Sequence, residues 1–135
     1  MSEPKLLPRI TADNRPFWSA CRRHRLELPY CSDCGKPHLP PGPVCPFCFS
    51  GRIEWRAASG RGTLTTWTVV HKEWFPAFRA EIPYNVAQVE LEEGPRLTAN
   101  IVECDAAQLR VGAKVEVIFD DVTAGVTLPR FRLIG

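Results

Sequence analysis

Residues 31 to 48 read CSDCGKPHLPPGPVCPFC, two Cys-x-x-Cys pairs with ten residues between the inner cysteines. No other stretch limits the fold so tightly. A Cys-x-x-Cys turn is short enough to aim both sulfurs at one ion about 2.3 Å away, and a second such turn completes a tetrahedron. Cys31, Cys34, Cys45 and Cys48 are therefore expected to hold a metal. Zinc is favoured on ligand chemistry, although rubredoxin-type iron uses the same four ligands and the spacing leaves it open. Four thiolates fill the coordination sphere and leave no position for a bound water or substrate, so the expected role is structural. Gly35, directly after the second thiolate, can take the positive φ that turns backbone N–H groups toward sulfur. The second knuckle, CPFC, is followed by Phe49 and Ser50, with glycine only at 51, which predicts a looser turn.

A chain of 135 residues holds one ordinary domain or two small units in contact. Hydrophobic residues at 44% and charged residues at 24% exclude disorder for the chain as a whole. No apolar run is long enough to span a bilayer, and the opening MSEPKLLPRITADNRP lacks the pattern of an export signal. The expected location is the cytoplasm, where paired cysteines read as metal ligands rather than disulfides. Net charge is +2 but unevenly placed: residues 1–60 carry nine Lys/Arg against five Asp/Glu, and residues 61–135 carry eight against ten. Only the front of the chain is basic.

Residues 1–12, with Pro4 and Pro8, read as an extended arm. The stretch DNRPFWSACRRHRL places Asp13 or Asn14 at an N-cap and Pro16 in the first turn, predicting a helix over 14–25. Behind the metal segment the texture changes to strands: IEWRAAS, GTLTTWTVVHKEW, YNVAQVELEEG, RLTANIVEC, AKVEVIFDD and TLPRFRLIG. Between two of them, DAAQLRVG offers Asp105 as the cap of a helical turn closing at Gly112. Five or six strands joined mostly by tight turns suit a small closed antiparallel barrel.

Catalytic constellations are missing. His24, His38 and His71 lie in separate contexts, Glu92 and Glu93 read as a solvated hairpin tip, and Cys21 and Cys104 have no base or cation nearby in sequence. What remains suits binding. Phe17 and Trp18 are adjacent and point about 100° apart on a helix, so one of them can face a second surface. Trp74, Phe75 and Phe78, interleaved with Lys72 and Arg79, offer aromatic faces and cations to a partner or to a base and its phosphates. A single-stranded nucleic-acid binder is thus an alternative. The net −2 of the barrel half argues against it, because such grooves depend on positive charge.

The order of helix, CSDCGKPHLPPGPVCPFC, GTLTTWTVVH, IPYNVAQVELEEGPRLTANIV, VGAKVEVIFDD and TLPRFRL resembles the zinc-ribbon/OB-fold proteins associated with acyl-CoA metabolism. The likeness covers about residues 14–135. It implies a mainly β protein with an N-terminal arm and helix (1–28), a rubredoxin-like zinc ribbon (29–52) and a C-terminal OB-fold barrel (53–135). It further implies a non-catalytic accessory subunit of a thiolase-type or thiolase-related aldolase complex, a hetro-oligomer that docks the partner and helps shape the acyl-CoA site. An accessory domain of a hot-dog-fold hydratase is the related alternative. Coenzyme A carries a pyrophosphate and a 3′-phosphate, so Arg22, Arg23 and Arg25 are its candidate contacts. Phe17, Trp18, Trp74, Phe75 and Phe78 are the candidate docking residues.

Overall fold

The computed structural model describes residues 7–74 and 76–134. Helix α1 spans Arg15–Arg22 and buries Phe17, Ala20 and Cys21, the i, i+3, i+4 stripe of one helical face. Pro16 sits in its first turn, where a missing N–H leaves no bond unmade. Asn14 is the N-cap residue, yet its side chain turns away from the helix: Oδ1 accepts from the Thr11 N–H at 2.6 Å and Nδ2 donates to the Arg9 carbonyl.

The helix stops three residues before the expected end. Arg25 N–H donates to the Ala20 carbonyl and His24 N–H to the Cys21 carbonyl, a Schellman closure with His24 at φ 57° in the left-handed position. A non-glycine residue there is held by tertiary contacts. The His24 ring stacks on Phe119 at 5.3 Å, and its Nε2 lies 2.9 Å from the Asp121 carboxylate.

Two short strands follow the helix in space, β1 (Glu27–Cys31) and β2 (Ile53–Ala57), paired antiparallel from Glu27↔Ala57 to Cys31↔Ile53. They bracket the metal segment. The remaining strands are β3 (Arg61–Val70), β4 (Tyr84–Leu91), β5 (Arg96–Ala99), β6 (Ile101–Val102), β7 (Lys114–Asp121) and β8 (Thr127–Leu133), in spatial order β5-β4-β3-β7-β8-β6. Short 3-10 turns cover Pro76–Glu81 and Ala106–Gln108. The second carries the expected Asp105 cap, with the Gln108 side chain accepting the Asp105 N–H.

RLTANIVEC, expected as one strand, is two. It breaks at Asn100, so that β5 pairs with β4 while β6 pairs with β8, and the same run of chain closes both edges of the sheet. The closing pair, Ile101↔Phe131 and Val102↔Arg132, is parallel, so the barrel is not antiparallel throughout. Asn85 fixes the break: its Nδ2 donates to the Ile101 carbonyl and its Oδ1 accepts the Ile101 N–H, both at 2.7 Å. Asn100 Nδ2 donates to the Asn85 carbonyl in return. Side-chain amides thus supply the bonds a regular ladder would lack at a corner.

The strand GTLTTWTVVHKEW ends at Val70, and it slips register between Leu64 and Thr66. Thr65 at that bulge donates its hydroxyl to the Gln88 carbonyl, and bulges of this kind let a strand coil around a small barrel. Gly62 is required where β3 runs between β4 and β7, because a Cβ there would lie 2.6 Å from the Glu90 carbonyl oxygen.

Leu64, Val89, Leu91, Ile101, Val115 and Phe131 fill the barrel, continuous with Phe17 and Cys21 from the helix, Leu26 from the link behind it and Leu28 from β1. Along β4 the alternation is regular, with Ala87, Val89 and Leu91 inward. The acidic hairpin tip departs from expectation at one residue. Glu92 is exposed, whereas Glu93 folds back so that Oε2 accepts the Ser59 N–H at 2.8 Å. Among the described residues no helix is long and apolar enough to cross a membrane.

Candidate metal centre

The Sγ atoms of Cys31, Cys34, Cys45 and Cys48 all lie within 4.8 Å of one another. Cys31 and Cys48 sulfurs are 3.5 Å apart, and Cys34 and Cys45 sulfurs 3.6 Å. A regular tetrahedron with metal–sulfur bonds of about 2.3 Å has sulfur–sulfur edges of about 3.8 Å, so the cluster has the size and donor set of a zinc tetrathiolate. Cys31 and Cys45 are buried, and Cys34 and Cys48 stand at the surface.

Each knuckle is built by the same bonds. Gly35 N–H donates to the Cys31 carbonyl and Cys31 N–H to the Lys36 carbonyl; Phe49 N–H donates to the Cys45 carbonyl and Cys45 N–H to the Ser50 carbonyl. Backbone N–H groups also reach sulfur, Cys34 to Cys31 Sγ and Phe47 to Cys45 Sγ, both at 3.4 Å. The second turn is therefore not looser than the first. Phe49 occupies the place of Gly35, at φ 62° against 77°. A left-handed conformation costs a residue with a Cβ about 1 kcal/mol or more, whereas glycine takes it freely.

Four adjacent thiols cannot all ionise without an ion to gather them. The Cys34 backbone N–H is the main influence drawing the Cys31 thiol down to about 6. The Cys48 thiol is pushed up to about 12 against the Ser50 N–H, because it shares its proton with the Cys31 sulfur. A divalent cation removes that conflict by binding every sulfur as thiolate.

Three other titratable candidates, Cys21, Cys104 and His38, behave as packing residues. Burial pushes the Cys21 thiol up to about 12. Burial and the neighbouring Asp105 carboxylate raise that of Cys104. Neither group is activated as a nucleophile. His38, four residues beyond Cys34, is only 4% exposed, and burial lowers its pKa, so the ring is held neutral. Among the described residues neither of its ring nitrogens has a hydrogen-bond partner.

The expected binding residues scatter. Phe17 is 5% exposed and its ring meets Trp18 edge to face at 5.0 Å, so it is a core residue and not a docking anchor. Trp18 is half-buried against that core and lines a groove of about 320 Å³ with Leu39, Pro40, Pro41 and Arg96. Arg22, Arg23 and Arg25 are exposed around the helix C-terminus, and Arg23 lies 3.7 Å from Glu27. None of the three lines that groove.

Trp74 is 64% exposed with the Lys72 ammonium 4.4 Å over its ring, and Arg79 bonds Glu73 at 2.8 Å. One face of the ring that a base could stack on thus carries the chain's own cation. Phe75 and the side chain of Phe78 lie outside the described residues.

A second exposed aromatic group was not expected from the sequence. Phe47 is 57% and Phe49 77% exposed, beside Val44 at 43%, all on the second knuckle. The signal was present in CPFCFSG, a bulky residue standing where a knuckle ordinarily carries glycine.

Two family models match this architecture. One, the rubredoxin-like zinc ribbon domain of ChsH2, covers residues 18–54, and the other, the C-terminal OB-fold domain of ChsH2, covers residues 55–120. The chain is 37% identical over 135 residues to a probable enoyl-CoA hydratase alpha subunit of Thermomonospora curvata, spanning 96% of this chain but only 41% of that relative. It is 36% identical to a DUF35 domain-containing scaffold protein of Methanothermobacter thermautotrophicus, over 75% of this chain and 76% of the relative. A solved structure of an Ltp2-ChsH2(DUF35) aldolase superposes with a TM-score of 0.86 at 35% identity, over 94% of this chain and 98% of that one.

Proposed function

The chain belongs to the DUF35 family of ChsH2-type proteins, which join a rubredoxin-like zinc ribbon to an OB-fold domain, and from that premise we propose a non-catalytic accessory subunit of an acyl-CoA complex. The complex is of the thiolase or thiolase-related aldolase type. One observation carries this reading. Nearly the whole chain aligns with nearly the whole of a chain from an aldolase named for two components, Ltp2 and ChsH2(DUF35). The Methanothermobacter scaffold relative matches at similar identity over most of its length. The hydratase alpha subunit is more than twice as long as this chain, so the chain corresponds to one part of it.

In this reading zinc occupies the Cys31, Cys34, Cys45 and Cys48 cluster and supplies rigidity, since a tetrathiolate has no open position for substrate. The partner provides nucleophile and base. A reducing compartment, the cytoplasm, keeps the four thiols available to the ion. Arg22, Arg23 and Arg25, exposed at one end of the helix, are proposed contacts for the phosphates of coenzyme A once the complex has formed. The raised Cys21 and Cys104 thiols support the assignment of bond breaking to another polypeptide.

Coexpression with a thiolase-like protein tests the reading, followed by native mass measurement and turnover of an acyl-CoA. The expected result is a stable hetero-oligomer that turns over substrate, with the isolated chain inactive. Turnover by the purified chain alone would overthrow it. Replacing the three arginines with alanine is expected to raise KM for the acyl-CoA severalfold and leave assembly intact; an unchanged KM removes those contacts from the scheme.

A further inference from the structure

We propose that the second knuckle, with Phe49 as anchor and Phe47 and Val44 beside it, is the surface on which the acyl-CoA enzyme subunit docks, and that docking covers the outward thiolates Cys34 and Cys48. The inference rests on the accessory reading and on zinc in the tetrathiolate. Phe49 holds a left-handed conformation at φ 62°, in the position where Gly35 serves the first knuckle at φ 77°. A residue strained in this way ordinarily gains contacts from its side chain, but this ring is 77% exposed, which leaves most of its area without a partner that could repay the strain. The missing contacts belong to another molecule. Phe47, at 57% exposure, lies under the Lys36 ammonium at 5.0 Å, which joins the two knuckles into one face.

Charge identifies the occupant. A zinc tetrathiolate carries a formal charge of about −2, and its surface cysteines, Cys34 and Cys48, share the face with the aromatic rings. Lys36 and Arg52 offset part of that charge, and Asp33, 3.6 Å from Arg52, restores some of it. A two-fold contact between copies of this chain would set two anionic centres against each other, since an isologous patch must be complementary to itself. A different polypeptide avoids this. Its docking site should be an apolar slot for Phe49, edged by arginine side chains or backbone N–H groups that donate to the exposed sulfurs.

Glycine separates docking from folding, because it suits φ 62° better than phenylalanine does. The experiment compares wild type with Phe49→Gly, each titrated with the thiolase-like subunit used for coexpression. The free and partner-bound forms are also assayed for the rate at which a colorimetric chelator removes zinc. Phe49→Gly is expected to bind the partner at least tenfold more weakly, with thermal midpoint and zinc retention of the free chain equal to or above wild type. Partner binding is expected to slow zinc loss at least tenfold in wild type.

Wild-type affinity in Phe49→Gly, or zinc loss unaffected by the partner, overturns the proposal. A lower midpoint or faster zinc loss in free Phe49→Gly does so too, by giving the ring a structural role. Self-association of wild type that disappears in the variant would name a second copy as the occupant, against the proposal. Failure of wild type to assemble at all is a different outcome, since it removes the accessory reading on which this inference stands.

Discussion

The ribbon and the barrel are held together by different means although they share one chain. From Cys31 to Cys48 the buried side chains are Cys31, His38 and Cys45, so the interior of the knuckle segment is largely sulfur and one neutral imidazole. The barrel closes over Leu64, Val89, Leu91, Ile101, Val115 and Phe131, hydrocarbon throughout. A segment with so little apolar area to bury depends on coordination bonds, whereas the barrel depends on the hydrophobic effect. The difference has a functional side. A metal-held turn can leave Phe47 and Phe49 exposed without collapsing, because its stability does not need them inside.

Removal of the ion is the largest way to break this contrast. Structural zinc in comparable peptides contributes on the order of 10 kcal/mol. Chelation, or Cys45→Ser, is expected to release amide protection across β1, β2 and both knuckles while β3, β4, β7 and β8 stay protected. Hydrogen exchange followed by mass spectrometry reads this directly, and simultaneous loss of both regions would show that the barrel too depends on the metal. Phe131→Ala is the converse. Its side chain is fully buried in the barrel, so truncation should cost about 3–5 kcal/mol by denaturant unfolding and leave zinc affinity unchanged.

A smaller effect sharpens the barrel side. Asn85→Ala removes the two bonds that satisfy Ile101 at the closing seam and should destabilise by about 1–3 kcal/mol. Exchange should quicken at β6 and the facing part of β8 before any change in the ribbon.

The smallest effect concerns the contact between helix and barrel. The Thr127 hydroxyl and the His24 ring lower the Asp121 pKa, so the folded state favours the ionised carboxylate. That stabilisation is present above the ordinary carboxylate range and is lost as pH falls through the depressed folded value. Asp121→Asn should therefore lower the thermal midpoint slightly at pH 6 and converge with wild type as the pH drops below about 4. A gap that persists or widens in acid would contradict this.

The paired knuckles and most barrel strands were legible from residue spacing and texture, because both follow local rules. Other features depend on distant partners. β1, ELPYC, carries a proline at its centre and none of the texture that marked the later strands; it becomes a strand because Ile53–Ala57 lies opposite. Asn100 looks like one polar position within RLTANIVEC, and only Asn85, fifteen residues earlier, turns it into a corner. The early helix stop at His24 requires Phe119 and Asp121, about a hundred residues away. Phe17, expected at a docking surface, lies over the barrel core for the same reason, and Phe49 is fixed outward on a turn whose interior is already filled by sulfur.

X-ray absorption at the zinc edge, on the assembled complex with and without acyl-CoA, tests most directly that the metal holds a scaffold and leaves chemistry to the partner. The expected spectrum is four sulfur neighbours at about 2.3 Å, unaltered by substrate. An oxygen or nitrogen neighbour, or a shell that changes when acyl-CoA binds, would contradict it.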